Sequence, residues 1–311
     1  MNVTEVKNKT VLYAALDWGF GHVTRSIGII RELIAQQNNV IIACNSEQES
    51  LFKSYFPNLR YEFLEGYNFK FSGSGNWYFD LWKQRKSFFR TIKSENEFVA
   101  KYCEEKRIDF IISDHRYGFY SAVIPSVFIT HQLHLPLSRF YFFVQKWHEK
   151  QLRKFNFLWV LDDDNSSLAG KLSMKIKHVS LNYIGLKSRF ETNLSLEIKY
   201  DYLIVISGAK PYSEQFINEV KQKIDFNNKK VAVLHPISVR LEKNVNLDFY
   251  PANNLKENDI LFYESETIIS RSGFSTLMDL KFLDKKAILF PTKGQKEQEY
   301  LHKIWSILDL N

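Results

Sequence analysis

Cysteine is scarce in this chain. Two residues, Cys44 and Cys103, out of 311 are too few for a disulfide framework and carry no metal-finger spacing, which fits a reducing compartment. Long apolar runs are missing as well. No stretch approaches the ~20 apolar residues of a membrane-spanning helix. Met1 to Lys9 is polar, and the apolar run that follows, Val11 to Leu16, is too short for a signal-peptide core. These absences lead us to expect a cytoplasmic protein. Internal repeats, low-complexity tracts and nucleic-acid-binding modules are also absent. What is present is ordinary for a globular chain, with 45% hydrophobic and 25% charged residues, and the length suggests about two domains. The net charge of +7 suits an anionic substrate or an anionic membrane surface.

Strands alternate with helices along the chain, which predicts parallel sheets. Strands are expected at Thr10–Leu16, Val40–Cys44, Tyr61–Leu64, Asp109–Ser113, Ser126–Thr130 and Leu158–Leu161. Helices are expected at Thr24–Gln36, with Ile27, Ile30, Leu33 and Ile34 on one face, at Ser46–Tyr55, through most of Asn76–Glu105, and at about Ser138–Lys154. Ser166–Arg189 reads as irregular. A second alternation follows, with strands at Tyr202–Ser207, Lys230–Leu234 and Leu247–Tyr250 and a helix near Ser213–Lys223. The boundary is placed near Gly185–Asn193, giving domains over 1–188 and 189–311.

The chemistry concentrates after strand ends. Asp17-Trp18-Gly19-Phe20-Gly21-His22-Val23-Thr24-Arg25 follows the first strand and opens a helix. Gly19 and Gly21 permit backbone torsions and close approach that a side chain would forbid. A dinucleotide fingerprint would need a third glycine where Thr24 stands. An unperturbed histidine titrates near neutrality, so His22 suits a general base, with a helix cap as the alternative reading. Ser113–Gly118, which includes Asp114, His115 and Tyr117, and Thr130-His131-Gln132 follow two further strands. Asp114 could orient His22, and His131 could meet a substrate. The histidines, His134 included, match no zinc pattern, and no metal or other cofactor is expected. In the C-terminal half, Thr267–Ile269 runs into Ser270-Arg271-Ser272-Gly273 and a helical stretch from Thr276 to Phe282. A strand, tight turn and helix start of this kind bind anions through backbone N–H groups and the helix dipole, and Arg271 adds a fork suited to phosphate. Ala287–Phe290 then ends at Pro291 and opens a polar loop, Thr292 to Gln298.

Ser270-Arg271-Ser272-Gly273, the acidic Asp279, Pro291 and the pair Gln298-Glu299 resemble the donor-binding half of glycosyltransferase family 28. Gly-x-Gly-His-x-x-Arg resembles its first N-terminal loop, and Leu168–Ser173 with Tyr183–Gly185 resemble the segments before its interdomain linker. The resemblance implies the GT-B architecture, two doubly wound Rossmann-like parallel-sheet domains facing a cleft. It also implies an inverting, metal-independent transfer from a nucleotide sugar, most simply a UDP-sugar, to an acceptor hydroxyl that can be lipid-linked. By that resemblance His22 and Asp114 are the catalytic candidates. The donor would meet Gly208, Arg271, Ser272, Gly273, Ser275, Thr276, Asp279, Gln295, Gln298 and Glu299, and the acceptor Gly19, Gly21, Arg25, Tyr117 and His131. The chain departs from the pattern at Asp279 (usually Glu), at Glu299 (usually Gln) and in Ser207–Pro211, which has one glycine. It also stops at Asn311 without the family's returning helix, so a shortened or truncated C-terminal domain is expected. A nucleotide-sugar hydrolase and a non-catalytic sugar-nucleotide binder remain open. No nucleic-acid partner is expected.

Two segments interleave aromatic and basic residues. One holds Trp77, Tyr78, Phe79, Trp82, Phe88 and Phe89 with Lys83, Arg85, Lys86, Arg90 and Lys93; the other holds Phe140–Phe143 and Trp147 with Lys146, Lys150, Arg153 and Lys154. Such helices suit the interface of an anionic membrane, and hence a peripheral position at its inner face. The alternative is that the aromatics are core and the charges a solvated face.

Overall fold

The computed structural model describes every residue except 138–140, 178, 192–193, 195, 209, 236–246, 253 and 309–311. The chain divides into two compact units. The first comprises Met1–Trp18, His22–Phe69 and Leu81–Arg189; the second comprises Gly19–Gly21, Lys70–Asp80 and Phe190–Asn311.

Through Tyr183 the elements are β1 (Thr10–Ala15), α1 (Gly21–Ala35), β2 (Asn39–Cys44), α2 (Ser46–Tyr55), β3 (Arg60–Phe63), α3 (Trp77–Lys83), α4 (Arg85–Glu105), β4 (Phe110–Asp114), β5 (Ser126–Thr130), α5 (Phe142–Leu152), β6 (Phe157–Val160) and β7 (Leu181–Tyr183). Among the described residues the strands form one parallel sheet in the order β3-β2-β1-β4-β5-β6-β7. Strands β1, β4 and β5 are almost wholly buried, as strands covered on both faces must be, which is why they read as continuous apolar runs. Residues Leu12, Ile41, Val99, Ile111 and Phe119 pack one side of this sheet against α4. Ile111→Ala would cost about 2–5 kcal/mol by leaving a cavity there.

Helix α1 buries Val23, Ile27, Ile30 and Leu33. Ile34 lies on the same face, as expected, but is 38% exposed, one residue from the end of the helix. Helix α2 starts where a capping box demands: Gln48 N–H donates to the Asn45 side chain, and the Gln48 side chain reaches back to Asn45 N–H. The single helical stretch expected before β4 breaks at Gln84 into α3 and α4. Helix α5 is observed from Phe142, and the start expected at 138–140 lies outside the described residues.

The second unit continues with β8 (Tyr200–Val205), α6 (Lys210–Lys223), β9 (Val231–His235), β10 (Leu247–Pro251), α7 (Leu255–Asn258), α8 (Ile260–Tyr263), β11 (Ser265–Arg271), α9 (Phe274–Leu283), β12 (Lys286–Phe290) and α10 (Lys296–Leu308). Its sheet is also parallel, ordered β10-β9-β8-β11-β12, around a core of Ile204, Phe216, Val233, Ile269 and Phe290. Helix α9 ends because Asp284 turns left-handed (φ 50°), a conformation short polar residues tolerate at a helix C-terminus. The polar loop expected from Thr292 to Gln298 is cut short by α10, which begins at Lys296. Each sheet reverses its strand order once, at β1/β4 and at β8/β11, and ligands of open α/β sheets gather beyond the carboxyl ends of strands at such points.

Candidate functional site

In the first unit the reversal point carries a buried charge cluster. Parallel pairing places Asp114, the last residue of β4, opposite Ala15 at the end of β1. Helix α1 begins just beyond β1 and sets His22, Arg25 and Ser26 on one face, since residues three and four apart are neighbours on a helix. His131 follows the end of β5. The Arg25 guanidinium joins these elements. Its Nε donates to Asp114 Oδ2 (2.7 Å) and its Nη2 to Asp114 Oδ1. Nη2 also lies 2.7 Å from His22 Nδ1, and Nη1 lies 3.1 Å from His131 Nδ1. His22 Nδ1 is 3.3 Å from Asp114 Oδ1. The hydroxyl of Tyr13 donates to Ser26 Oγ, which donates to the His22 carbonyl.

Arg25 and Asp114 have no more than 1% side-chain exposure, whereas the His22 ring keeps 15%. His22 is therefore the member that reaches solvent. Burial holds the His22 imidazole below its ordinary value, and the charge of Arg25 adds to this while Asp114 opposes it. For Asp114 burial acts upward, but the charges of Arg25 and His22 and their hydrogen bonds outweigh it and keep the carboxyl ionised well below the usual range. His115, just after β4, stands at φ 62°. That region is sparsely populated by non-glycine residues and recurs at functional sites. Its Nε2 is 2.6 Å from Thr130 Oγ1, and its ring lies beside those of His22 and His131. Burial, then the charge of Arg25, hold His115 neutral.

Tyr117 was expected to meet an acceptor. Its hydroxyl lies instead 2.8 Å from His148 Nδ1, and its ring packs on Phe88, Phe128 and Trp147. A second junction escaped the sequence reading. Arg116 donates to Glu95 Oε1 (2.7 Å) and to the carbonyls of Ala15 and Glu65, while Tyr67 Oη and Gly118 N–H donate to Glu95 Oε2. Arg116 and Glu95 are buried. They tie the ends of β1, β3 and β4 together. The only sequence sign of this was a glutamate at the i position of an i, i+4, i+7 buried stripe in α4, with Val99 and Tyr102.

In the second unit the loops after β8, β11 and β12 bring most of the expected donor residues together. Gly208 adopts φ 93°, which an L side chain rarely allows, and its neighbour 209 lies outside the described residues. Gly273 is the N-cap of α9 and has no side chain of its own to bond there, and Ser275 and Thr276 occupy the first turn half-buried. Ser275 Oγ donates to the carbonyl of Gly21. Gly19, at φ 74°, belongs to the same unit. Ser272 Oγ donates to the Gln298 carbonyl. The Gln298 and Glu299 side chains, in the first turn of α10, accept from Thr292 and Gly294 N–H and so hold the loop between β12 and α10. Gln295 is half-buried in that loop, and Asp279 is buried in α9.

Arg271 differs most from expectation. The sequence offers its guanidinium to a diphosphate; in the structure the residue is 3% exposed. Nη1 donates to Glu219 Oε2 (2.8 Å) and to the Pro291 carbonyl (3.0 Å), and Nη2 to the Tyr212 carbonyl (3.1 Å). The group lies over the Phe216 ring. Arg271 braces the start of α6 and the ends of β11 and β12, so it shapes the loops rather than offering a free charge.

The chain as a whole is similar to solved glycosyltransferase structures. With the glycotransferase of kitacinnamycin the TM-score is 0.62 at 14% identity, covering 95% of this chain and 84% of that one. With Phytolacca americana UGT2, complexed with UDP-2-fluoro-glucose and pterostilbene, it is 0.60 at 12% identity over 95% and 83%. With MurG of Acinetobacter baumannii it is 0.52 at 11% identity over 96% and 83%. The fold is GT-B. At these identities the likeness establishes the GT-B fold and leaves activity to be argued from the site. No protein-family model matches the sequence, and no curated protein matches it.

The aromatic segments split between the two readings given above. Trp77 stacks on Tyr212, and Phe88 and Trp147 pack on each other and on Tyr117. Trp82, Phe89, Phe142 and Phe143 are exposed, with Arg85 over Trp82 and Lys146 over Phe142. The Phe89–Trp147 contact joins the exposed aromatic ends of α4 and α5 in one patch. The side chain of Tyr78, and Phe140 altogether, lie outside the described residues. Among the described residues no helix is long and apolar enough to cross a membrane.

Proposed function

We propose that the protein is a glycosyltransferase that moves a sugar from a nucleotide sugar, most simply a UDP-sugar, to an acceptor hydroxyl. The observation that carries this reading is the His22–Asp114 pair at the reversal point of the first sheet in a GT-B chain, with His22 its solvent-reaching member. In the step proposed, the acceptor hydroxyl gives its proton to the His22 ring as its oxygen attacks the anomeric carbon. The bond from that carbon to the donor phosphate breaks, and its electron pair leaves on the diphosphate. Asp114, fixed as a carboxylate, stabilises the imidazolium that forms. The diphosphate would sit at the start of α9, beside Ser272 and Gly273, where helix N–H groups favour an anion. Two solved relatives of the fold carry such ligands, one UDP-2-fluoro-glucose and one thymidine diphosphate.

The acceptor is proposed to be presented at a membrane. Support comes from the exposed aromatic patch of α4 and α5 and the exposed Lys83, Arg85, Lys86, Arg90 and Lys146 near it. Aromatic side chains settle at the headgroup layer while cations meet anionic lipid.

A panel of nucleotide sugars in a thermal-shift assay tests the donor, since a ligand that binds the native state raises the melting temperature. Nucleotide release with and without an acceptor extract then tests the reaction. Acceptor-dependent release supports transfer, equal release of free sugar without acceptor would make the protein a hydrolase, and binding with no release would make it a non-catalytic binder.

A further inference from the structure

His22 faces two groups through one nitrogen, and they ask opposite things of it. Asp114 is ionised and can only accept, so a bond to it requires a proton on His22 Nδ1. Arg25 carries only N–H donors, so a bond to it requires a lone pair on His22 Nδ1. The two demands exclude each other, because an Nδ1–H directed at the guanidinium would set donor against donor. Distance decides between them. Arg25 Nη2 is 2.7 Å from Nδ1 and Asp114 Oδ1 is 3.3 Å away; the first is a normal hydrogen bond and the second is at the long edge of the range. His131 repeats the pattern, its Nδ1 lying 3.1 Å from Arg25 Nη1. With Nε and Nη2 also donating to the two Asp114 oxygens, four of the five guanidinium N–H groups are directed at four acceptor atoms on three residues.

We infer that Arg25 is a positioning residue that holds His22, in the ligand-free protein, as the neutral tautomer with its proton on Nε2. Sequence reading placed Arg25 against the acceptor, but with 1% of its side chain exposed it acts through His22 instead. In this tautomer the nitrogen turned away from Arg25 and Asp114 is an N–H donor and cannot take a proton. His22 becomes a base only when Nδ1 carries the proton and passes to Asp114, with Nη2 withdrawn. The ring then loses its Nε2 proton to solvent and gains one at Nδ1, so its net charge is unchanged. The charged and titratable groups facing His22 are Arg25 from α1, Asp114 and His115 from the end of β4, and His131 from the end of β5. All of them belong to the first unit. The inference rests on the glycosyl-transfer reading only for what the tautomer does to the rate.

Nitrogen-15 NMR of histidine-labelled protein, with His22→Gln for assignment, reads the tautomer directly and needs no substrate. The expected result for the wild-type protein at pH 7.5 is a protonated Nε2 and an unprotonated Nδ1 at His22. A protonated Nδ1 in the wild type would overturn the inference, whatever the protein turns out to transfer. Arg25→Gln leaves Asp114 buried and unpaired and can fail to fold, so Arg25→Gln/Asp114→Asn, which removes both charges, and Arg25→Lys, which keeps the charge but loses the fork, are measured beside it. In Arg25→Lys the proton is expected to move to Nδ1, facing Asp114. An unchanged Nε2 tautomer in folded Arg25→Lys would show that Arg25 does not set it. The double variant is expected to show both neutral tautomers of His22, since neither charged partner then directs Nδ1. An Nε2-protonated ring unchanged in both folded variants would also count against the inference, because a purely structural arginine would leave the tautomer in place.

Discussion

Replacing Arg271 separates a brace from a ligand-binding charge. Arg271→Met keeps most of the aliphatic volume over Phe216 but removes the donors to the Pro291 and Tyr212 carbonyls and the partner of Glu219. Hydrogen bonds to a charged group are worth about 1.5–3 kcal/mol each, so the two carbonyl bonds together represent roughly twice that. Two effects reduce the sum. Glu219 keeps 36% side-chain exposure and can rehydrate. The buried guanidinium also carries a desolvation cost, visible as a downward push on its proton affinity that Glu219 only partly offsets, and the methionine is free of it. A net loss of about 2–4 kcal/mol remains, overlapping the lower part of the ~3–5 kcal/mol range for breaking a buried pair. A single melting temperature reports on the whole chain and does not locate the change. Hydrogen exchange followed by mass spectrometry locates it. Amides of β11 and β12 should lose protection by about 30–1000-fold, since 1.4 kcal/mol is tenfold, while those of β1 and β4 stay as in the wild type. UDP affinity should weaken as a consequence of the loosened loops. If exchange in β11 and β12 is unchanged and UDP affinity still falls, Arg271 is a diphosphate ligand and the brace is wrong.

Three other perturbations test separate parts of the reading. His22→Ala should lower turnover by about 10²–10⁴-fold, the scale of general acid–base catalysis, with UDP affinity by calorimetry nearly constant; turnover within a few-fold of wild type would remove His22 from the chemistry. His148, buried between Tyr117 Oη and the Gln132 carbonyl, is pushed down from 6.5 to about 4, chiefly by burial, so the unfolded chain binds a proton in this window that the folded chain refuses. Its contribution is intact above pH 6.5 and is lost as the pH falls toward 4, by about 3 kcal/mol at 1.36 kcal/mol per unit; urea titrations from pH 7 to 4 should show this slope reduced by one proton in His148→Gln, and an equal slope would refute it. Replacing Lys83, Arg85, Lys86 and Arg90 with Gln should release the protein from anionic vesicles in flotation at low salt, each cation contributing about 1 kcal/mol, and wild-type protein that stays in solution would rule out the membrane surface.

Much of the fold is legible in the sequence because its strongest determinants are local. Buried parallel strands must be apolar throughout, and Ser126–Thr130 was placed to the residue. Helix α2 was placed equally well, since Asn45 and Gln48 form its cap within one turn. Elements whose signals are weak or tertiary were missed. Strand β7 is three half-buried residues inside a polar stretch. Helix α10 opens with Lys296-Glu297-Gln298-Glu299, which looks like loop until Gln298 and Glu299 are seen capping the Thr292 and Gly294 amides.

The site shows the same division more sharply. The positions of His22, Asp114 and His131 follow from strand ends and could be read, but what the arginines do could not. Arg25 meets Asp114 from 89 residues away, and the partners of Arg271 lie 52, 20 and 59 residues away. Only sheet register brings them together. An arginine beside a glycine-rich turn suits a phosphate and suits a buried junction of carbonyls and carboxylates equally well, since both want a planar fork of donors. The same ambiguity affects the reading of net charge. Arg25, Arg116 and Arg271 are each neutralised by a carboxylate, Asp114, Glu95 and Glu219 in turn. None of the three adds to the field that an approaching anion meets. That field comes from exposed lysines and arginines, and those of α3, α4 and α5 stand beside exposed aromatic rings. The electrostatic case for an anionic partner therefore rests on this surface, and the arginines of the two reversal points serve to set the shape and the protonation of the groups around them.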